Sequence, residues 1–181
     1  MYKEIIKPTL VLIIIAAIIS GILAFTYNAA GIGELGKGLS QEELDKNIKE
    51  VLPKGTKLKY FDFALEDASV LGIYNDEGGA GCAIHVVTKG YGGEMKVLIG
   101  LDKDGAVTGA KVLESQETPG LGTKISEKPF LDKYLGKKAE VKLTKDGGEI
   151  EGIAGATISS NAFTKAVNKA FEVFNKVKGD L

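Results

Sequence analysis

A long apolar stretch near the N-terminus restricts how this chain can fold. No charged residue occurs from Pro8 to Gly33, and the run from Leu10 to Phe25 is almost wholly apolar. With Ile5 and Ile6 the apolar stretch covers about 20 residues, which is enough to cross ~30 Å of hydrocarbon as a helix. We therefore predict that residues 1–30 form a short tip and one transmembrane helix. A cleaved signal peptide is the alternative, although its apolar core is usually only about 7–15 residues long.

The charges that flank this stretch predict its orientation. Lys3 and Lys7 precede it, whereas no positive charge lies between Tyr27 and Lys37. Positive residues favour the cytoplasmic side of a membrane. We therefore expect a single-pass protein of the cell membrane with a cytoplasmic N-terminus. A glycine-rich linker at 31–39 would lead to an extracytoplasmic domain at 40–181.

The composition excludes several kinds of chemistry. The chain has one cysteine and one histidine, so an internal disulfide, an iron–sulfur cluster and a dedicated zinc site are not expected. Cys82 and His85 lie in an alternating apolar stretch. They are interpreted as a buried strand residue and a satisfied or solvent-facing imidazole. We therefore predict no catalytic residue and no metal site. The net charge of −1 gives no reason to expect nucleic acid binding.

The pattern after the linker predicts an α+β domain. Ser40 and Glu43 have the spacing of a capping box before a helix that Pro53 ends. Stretches rich in β-branched and apolar residues, separated by glycine-containing turns, predict an antiparallel meander. The predicted strands are 59–65, 69–74, 80–88, 95–101 and 107–113, with a further possible strand at 139–144. A final amphipathic helix is predicted at 161–177, capped by Ser159 or Ser160.

Two segments could carry chemistry. Gly152 to Ser160 places small and hydroxyl residues before the last helix, where free N–H groups and the helix dipole favour an anion such as phosphate. An ordinary capped helix start is the alternative. Glu114 to Gly122 contains Thr118, Pro119 and Gly120, a strong turn signal. Such a loop could lie against a planar ligand, but by itself it indicates only a turn.

Together these segments resemble the FMN-binding domain family. The matching residues are Glu117, Thr118, Pro119, Gly120, Leu121 and Gly122 in the first segment and Gly155, Ala156, Thr157, Ser159 and Ser160 in the second. The resemblance implies one FMN attached covalently to Thr157 through a phosphoester, installed by a flavin transferase. Ser159 and Ser160 would serve as phosphate donors or helix caps. The family commonly has Asp and Ser where this chain has Glu151 and Ala154.

The whole chain resembles the G subunits of the Rnf complex, an ion-translocating ferredoxin:NAD oxidoreductase. That resemblance implies an electron-transfer subunit of a translocase, with other membrane and peripheral subunits and membrane lipid as partners. Turnover by the isolated chain is not expected. A free-standing flavin reductase and a non-redox anchored binding module remain the alternatives, and only His85 offers the reductase a proton donor.

Overall fold

The structure is a computed structural model that describes residues 9–13, 15–21, 41–61 and 67–180. The chain divides into two compact units, Met1–Glu42 and Glu43–Leu181. In the first unit, residues 9–13 and 15–21 are helical and exposed. Among the described residues, no helix is both long and apolar enough to cross a membrane. The rest of the predicted anchor and the whole predicted linker lie outside the described residues.

The second unit is built on an antiparallel sheet. Its five strands lie in the order in which they follow one another in the chain, and each pairs with the next. They are β1 Leu58–Tyr60, β2 Val70–Asp76, β3 Gly81–Lys89, β4 Glu94–Asp102 and β5 Val107–Ser115. The predicted meander is therefore confirmed. The second half of the first predicted strand, from residue 62, lies outside the described residues.

Helices flank the sheet in sequence, as predicted. They are α1 Gln41–Val51, α2 Lys128–Leu131 and α3 Thr157–Val177, with short 3-10 helices at Gly122–Ser126, Asp132–Tyr134 and Thr144–Asp146. The α+β class is confirmed. Ser40, the predicted capping residue of α1, lies outside the described residues.

The main core lies between α3 and one face of the sheet. Alternate residues of the central strands point into it, because successive side chains of a strand face opposite sides. The helix contributes the apolar face that its sequence predicts, and every member of that face is buried: Phe163, Val167, Ala170, Phe171, Phe174 and Val177. Phe130, Tyr134 and Phe163 pack edge to face or tilted, with ring centroids 5.0–5.5 Å apart. These ring contacts join α3 to the helical segment at 128–134, while the apolar face of α3 packs on the sheet.

The other face of the sheet receives the C-terminal part of α1. Leu44, Ile48 and Val51 are buried there. The close approach requires glycine on β5, because a Cβ at Gly109 would lie 2.7 Å from the Cα of Val51. The hydroxyl of Thr108 donates a hydrogen bond of 2.6 Å to the Val51 carbonyl. The sheet is thus covered by a helix on each face.

The strand predicted at 139–144 is wrong. Val141 and Leu143 are buried as an alternating strand would require, but only one bridge forms, between Leu143 and Ile150. The Asn168 side-chain amide binds Val141 in place of a neighbouring strand. It accepts the Val141 N–H at 2.9 Å and donates to the Val141 carbonyl at 2.9 Å. The side chain of α3 therefore satisfies backbone groups that the sequence pattern assigned to a sheet.

The predicted start of the last helix is also wrong. α3 begins at Thr157 rather than at residue 161, its N-cap is Ala156, and no side chain caps it. Ser159 and Ser160 are therefore inside the helix and not its caps. Ser160 donates to the Ala156 carbonyl at 2.9 Å and accepts the Ile153 N–H at 3.0 Å. The Ser160 hydroxyl therefore holds the loop at Ile153 against the first turn of α3.

Candidate functional site

The sheet topology brings three segments together at one end of the domain. β3 and β5 both pair with β4 in antiparallel fashion. They therefore run in the same direction, and their C-terminal ends lie at the same end of the sheet. The turn after β3 and the loop after β5 therefore lie side by side. The first turn of α3 completes the group. These segments enclose a cavity of about 530 Å³, a size typical of small-molecule sites.

The cavity joins the two sequence segments that could carry chemistry. Its lining consists of Tyr91, Glu117, Thr118, Leu121, Gly122, Gly155, Ala156, Thr157, Ile158 and Ser159. Pro119, Gly120 and Ser160, which the sequence also suggested, do not line it. Pro119 and Gly120 shape the loop instead, and Ser160 is fully buried in α3.

The loop after β5 is a tight turn, as its sequence predicts. The Leu121 N–H donates to the Thr118 carbonyl at 3.2 Å, and Gly120 has φ of +74°. Proline followed by a residue at positive φ is the pattern of a type II turn. The Gly120 N–H donates to the Thr123 hydroxyl at 3.0 Å. The turn therefore has a single defined shape, which places Leu121 at the cavity.

Leu121 also brings the loop against the segment before α3. Gly155 has φ of +78°, and a Cβ at this position would lie 3.0 Å from Cδ1 of Leu121. The backbone conformation disfavours any side chain there, and the contact leaves little room for one. Gly155 thus allows the Gly-Ala-Thr segment to approach the loop closely.

Of the described residues that line the cavity, only Glu117 is charged. It is only 6% exposed. Its Oε1 accepts the Tyr91 N–H at 2.8 Å, and its Oε2 accepts the Ser159 hydroxyl at 2.8 Å. A Cβ at Gly122 would lie 2.5 Å from Oε2, so glycine leaves room for the carboxylate. Glu117 therefore connects all three segments of the site.

The hydroxyl groups near the start of α3 differ in accessibility. Ser159 and Ser160 are 1% and 0% exposed, and their hydroxyl protons are donated within the protein. Thr157 is exposed, and its hydroxyl has no hydrogen-bond partner within the described part of the chain. Of these hydroxyl groups, only that of Thr157 is free to react or to receive a modification.

The backbone around Thr157 can receive an anion. The first N–H groups of an α-helix have no partner within the helix, and no side chain caps α3. These groups and the helix dipole favour negative charge at this position. In the part of the chain that the structure describes, no lysine lines the cavity, and the sequence contains no arginine. An anion here would therefore depend on backbone N–H groups.

Exposed apolar side chains form the rim of the cavity. Tyr91, Ile158 and Leu121 are 70%, 56% and 41% exposed. Neither Tyr91 nor Ile158 was among the site residues that the sequence predicted. An aromatic residue between glycines in the turn at 90–93 was a detectable signal for Tyr91. Ile158 was missed because the helix was predicted to begin after it. The rim offers exposed apolar side chains to a ligand in the cavity.

The histidine and the cysteine lie elsewhere. Both are on β3, and neither lines the cavity. Cys82 is fully buried, and burial raises the pKa of its thiol to about 12. Burial and then the charge of Lys96 lower the pKa of His85 to about 4. His85 Nε2 is buried and has no hydrogen-bond partner among the residues that the structure describes, contrary to the expected satisfied or solvent-facing imidazole. His85 therefore gives the cavity no proton donor.

The two departures from the family pattern lie outside the cavity. The Glu151 side chain is 81% exposed and lies 3.5 Å from Nζ of Lys133. The same Nζ donates to the Glu151 carbonyl at 2.9 Å. Ala154 is exposed. Neither substitution removes a group that lines the cavity.

Comparison with known proteins identifies related sequences and a related fold. A profile of the FMN-binding domain family matches residues 90–172, which include all three segments of the site. The chain is 33% identical to the G subunit of the ion-translocating oxidoreductase complex of Aliivibrio fischeri, over 91% of this chain and 87% of that one. It is also 33% identical to the G subunit of the Na⁺-translocating ferredoxin:NAD⁺ oxidoreductase complex of Acetobacterium woodii, over 97% and 94% of the two chains.

A solved structure has the same fold. The C subunit of the Na⁺-translocating NADH-quinone reductase from Parabacteroides distasonis superimposes with a TM-score of 0.53 at 20% identity. The match covers 77% of this chain and 84% of that one. The sequence relationship extends over nearly the full length of the relatives and includes the cavity with its two motifs. The chain therefore belongs to the family of G subunits of ion-translocating oxidoreductase complexes.

Proposed function

We propose that this chain is an electron-transfer subunit of an ion-translocating ferredoxin:NAD oxidoreductase complex and carries one FMN as a phosphoester of Thr157. One observation carries the proposal. The free hydroxyl of Thr157 lies at the uncapped start of α3, beside a cavity that the Glu117–Gly122 loop helps to form. When bound, FMN supplies the redox chemistry, and the protein supplies its position and environment.

The residues present fit this cofactor. A cavity of about 530 Å³ lies within the usual range for a cofactor site. The apolar rim suits a flat aromatic ring, and the uncapped N–H groups of α3 suit a phosphate. Gly155 and Gly122 keep side chains out of the space between the loop and the helix. Thr157 would hold the phosphate, while Leu121, Tyr91 and Ile158 would border the ring.

The described lining of the cavity has no cationic side chain, which supports a covalent bond. Free phosphate groups are commonly held by arginine or lysine, and neither occurs among the lining residues that the structure describes. Backbone N–H groups alone would hold a dissociable phosphate weakly. A phosphoester to Thr157 removes the need for tight phosphate binding. A flavin transferase would form this bond during maturation with a flavin dinucleotide as donor. The phosphoanhydride bond of the donor would break, the Thr157 oxygen would take the FMN phosphoryl group, and a nucleoside monophosphate would leave with the hydroxyl proton. The exposed position of Thr157 is accessible to such an enzyme.

The N-terminal residues provide the membrane attachment in this proposal. The described helical residues at 9–13 and 15–21 include exposed leucine, isoleucine and valine side chains, which favour contact with lipid or with other helices. Residues 1–30 would form a single-pass anchor, with Lys3 and Lys7 on the cytoplasmic side. The domain at 40–181 would then lie outside the cytoplasm, near other subunits that exchange electrons with it.

The attachment can be tested with matched threonine variants. Thr157 and Thr118 are both exposed and both line the cavity. After production with the flavin transferase, wild type, Thr157→Ser and Thr118→Ala should retain flavin fluorescence in a denaturing gel, whereas Thr157→Ala should lose it. Fluorescence that survives in Thr157→Ala, or that disappears equally in Thr118→Ala, would contradict the assignment.

A further inference from the structure

Glu117 is a buried carboxylate for which no cationic partner lies within ion-pairing distance among the described residues. Burying a charge is costly unless other groups compensate it. Here the compensation comes from the Tyr91 N–H and the Ser159 hydroxyl, each at 2.8 Å. These are neutral groups, and neither cancels the negative charge. The wall of the cavity therefore carries a fixed negative charge.

The surrounding backbone is adapted to this carboxylate. A Cβ at Gly90 would overlap Oε1, and a Cβ at Gly122 would lie 2.5 Å from Oε2. Neither glycine has a positive φ, so the space around Glu117 is what requires glycine at these positions. The side chain is also tied to a turn on one side and to α3 on the other. Its charge consequently stays at one place in the cavity wall.

We propose that Glu117 lowers the reduction potential of the flavin that this cavity holds. The inference rests on the proposed function, because it requires FMN in the cavity. Adding electrons to a ligand beside a fixed negative charge is disfavoured, and the effect is larger in a partly enclosed site than in water. Among the described residues, no lysine lines the cavity to offset it. Glu117 thus acts through its charge, while its two hydrogen bonds determine where that charge lies.

Glutamine is the informative replacement because it keeps the shape and removes the charge. Its carbonyl oxygen can accept the Tyr91 N–H as Oε1 does now. Its amide can donate to the Ser159 oxygen, since a hydroxyl group can both donate and accept. Glu151→Gln is the matched control, because it removes an exposed carboxylate from the segment that leads to Thr157. Both variants change the net charge equally.

The test is a redox titration of the full-length, flavinylated chain, with intact mass measured on each sample. The mass of the wild type reports flavin attachment, and therefore the proposed function, separately from the potential. We expect Glu117→Gln to retain the flavin mass and to have a more positive midpoint potential than wild type. Glu151→Gln should shift the potential much less, and Glu117→Asp should stay closer to wild type than Glu117→Gln.

An unchanged potential in Glu117→Gln, or an equal shift in Glu151→Gln, would overturn the inference. Loss of the flavin from Glu117→Gln with an unchanged unfolding temperature would also overturn it, since the carboxylate would then serve attachment. If Glu117→Gln does not fold, Thr118→Lys provides the second test. It places a cation on an exposed residue of the same lining and should also raise the potential. No shift in that variant would contradict the inference.

Discussion

Ser159 and Thr157 carry hydroxyl groups in the same turn of α3, and alanine substitution should affect them very differently. The Ser159 hydroxyl is buried and donates a hydrogen bond of 2.8 Å to Oε2 of Glu117. The Glu117 residue is itself only 6% exposed. A hydrogen bond to a charged group contributes about 1.5–3 kcal/mol. Ser159→Ala should therefore lower the free energy of unfolding by about 2 kcal/mol. Thr157 is exposed, so Thr157→Ala should change it by less than about 0.5 kcal/mol.

The assay is denaturant unfolding of the flavin-free, full-length chain in detergent, followed by far-UV circular dichroism. Production without the flavin transferase ensures that cofactor attachment does not influence the comparison. In a parallel thermal unfolding experiment, a loss of about 2 kcal/mol corresponds to a decrease in Tm of roughly 5–10 °C for a domain of this size. In a Glu117→Gln background, Ser159→Ala should cost only about 1 kcal/mol, because a neutral hydrogen bond is weaker. Equal destabilisation by Ser159→Ala and Thr157→Ala would refute the hydrogen-bond assignment.

Three further predictions concern the loop, the histidine and the topology. Gly120→Val should lower the free energy of unfolding by about 1 kcal/mol or more, because the φ of +74° disfavours a side chain. No steric clash should add to this cost, since a Cβ there would meet no atom within 4 Å. The flavinylated variant should retain the flavin mass but show a shifted absorbance or midpoint potential; an unchanged flavin would show that the loop does not contact it. Because the pKa of His85 is lowered to about 4, the folded chain binds this proton less readily than the unfolded chain, whose pKa is about 6.5. The free energy of unfolding should therefore decrease as pH falls from about 6.5 to 4. This decrease should be about 2 kcal/mol larger in wild type than in His85→Gln. Identical pH profiles from equilibrium unfolding of the two proteins would contradict this. An external protease should digest the domain at 40–181 in intact cells, and protection of that domain would show the opposite orientation.

The sequence predicted the sheet well because its signals are local. The strands have recurrent β-branched and apolar residues, and glycine-rich turns separate them, so a meander follows from adjacent elements alone. The turn at Thr118–Leu121 was predictable for the same reason, since proline and glycine set its backbone conformation. The apolar face of α3 was also clear, because Phe163, Val167 and Phe171 repeat at helical spacing.

The errors arose where tertiary contacts replaced the expected local partner. Val141 alternates with charged residues as in a strand, but the Asn168 amide binds its backbone. Ser159 and Ser160 resemble helix caps, yet Ser159 donates to Glu117, and Ser160 accepts the Ile153 N–H and donates to the Ala156 carbonyl. The contact between Glu117 and Ser159 joins residues 42 positions apart. No local pattern predicts such a contact, so the connection between the two motifs became visible only in the fold.

Peptide mass mapping of the natively purified chain is the direct test for a covalent FMN on Thr157. Trypsin should release residues 146–165 as one peptide, which contains Thr157, Ser159 and Ser160 and has lysine only at its end. This peptide should be heavier than its sequence by one FMN less one water. Fragmentation should place the added mass on Thr157. An unmodified peptide, or the added mass on Ser159 or Ser160, would contradict a covalent FMN at the exposed threonine.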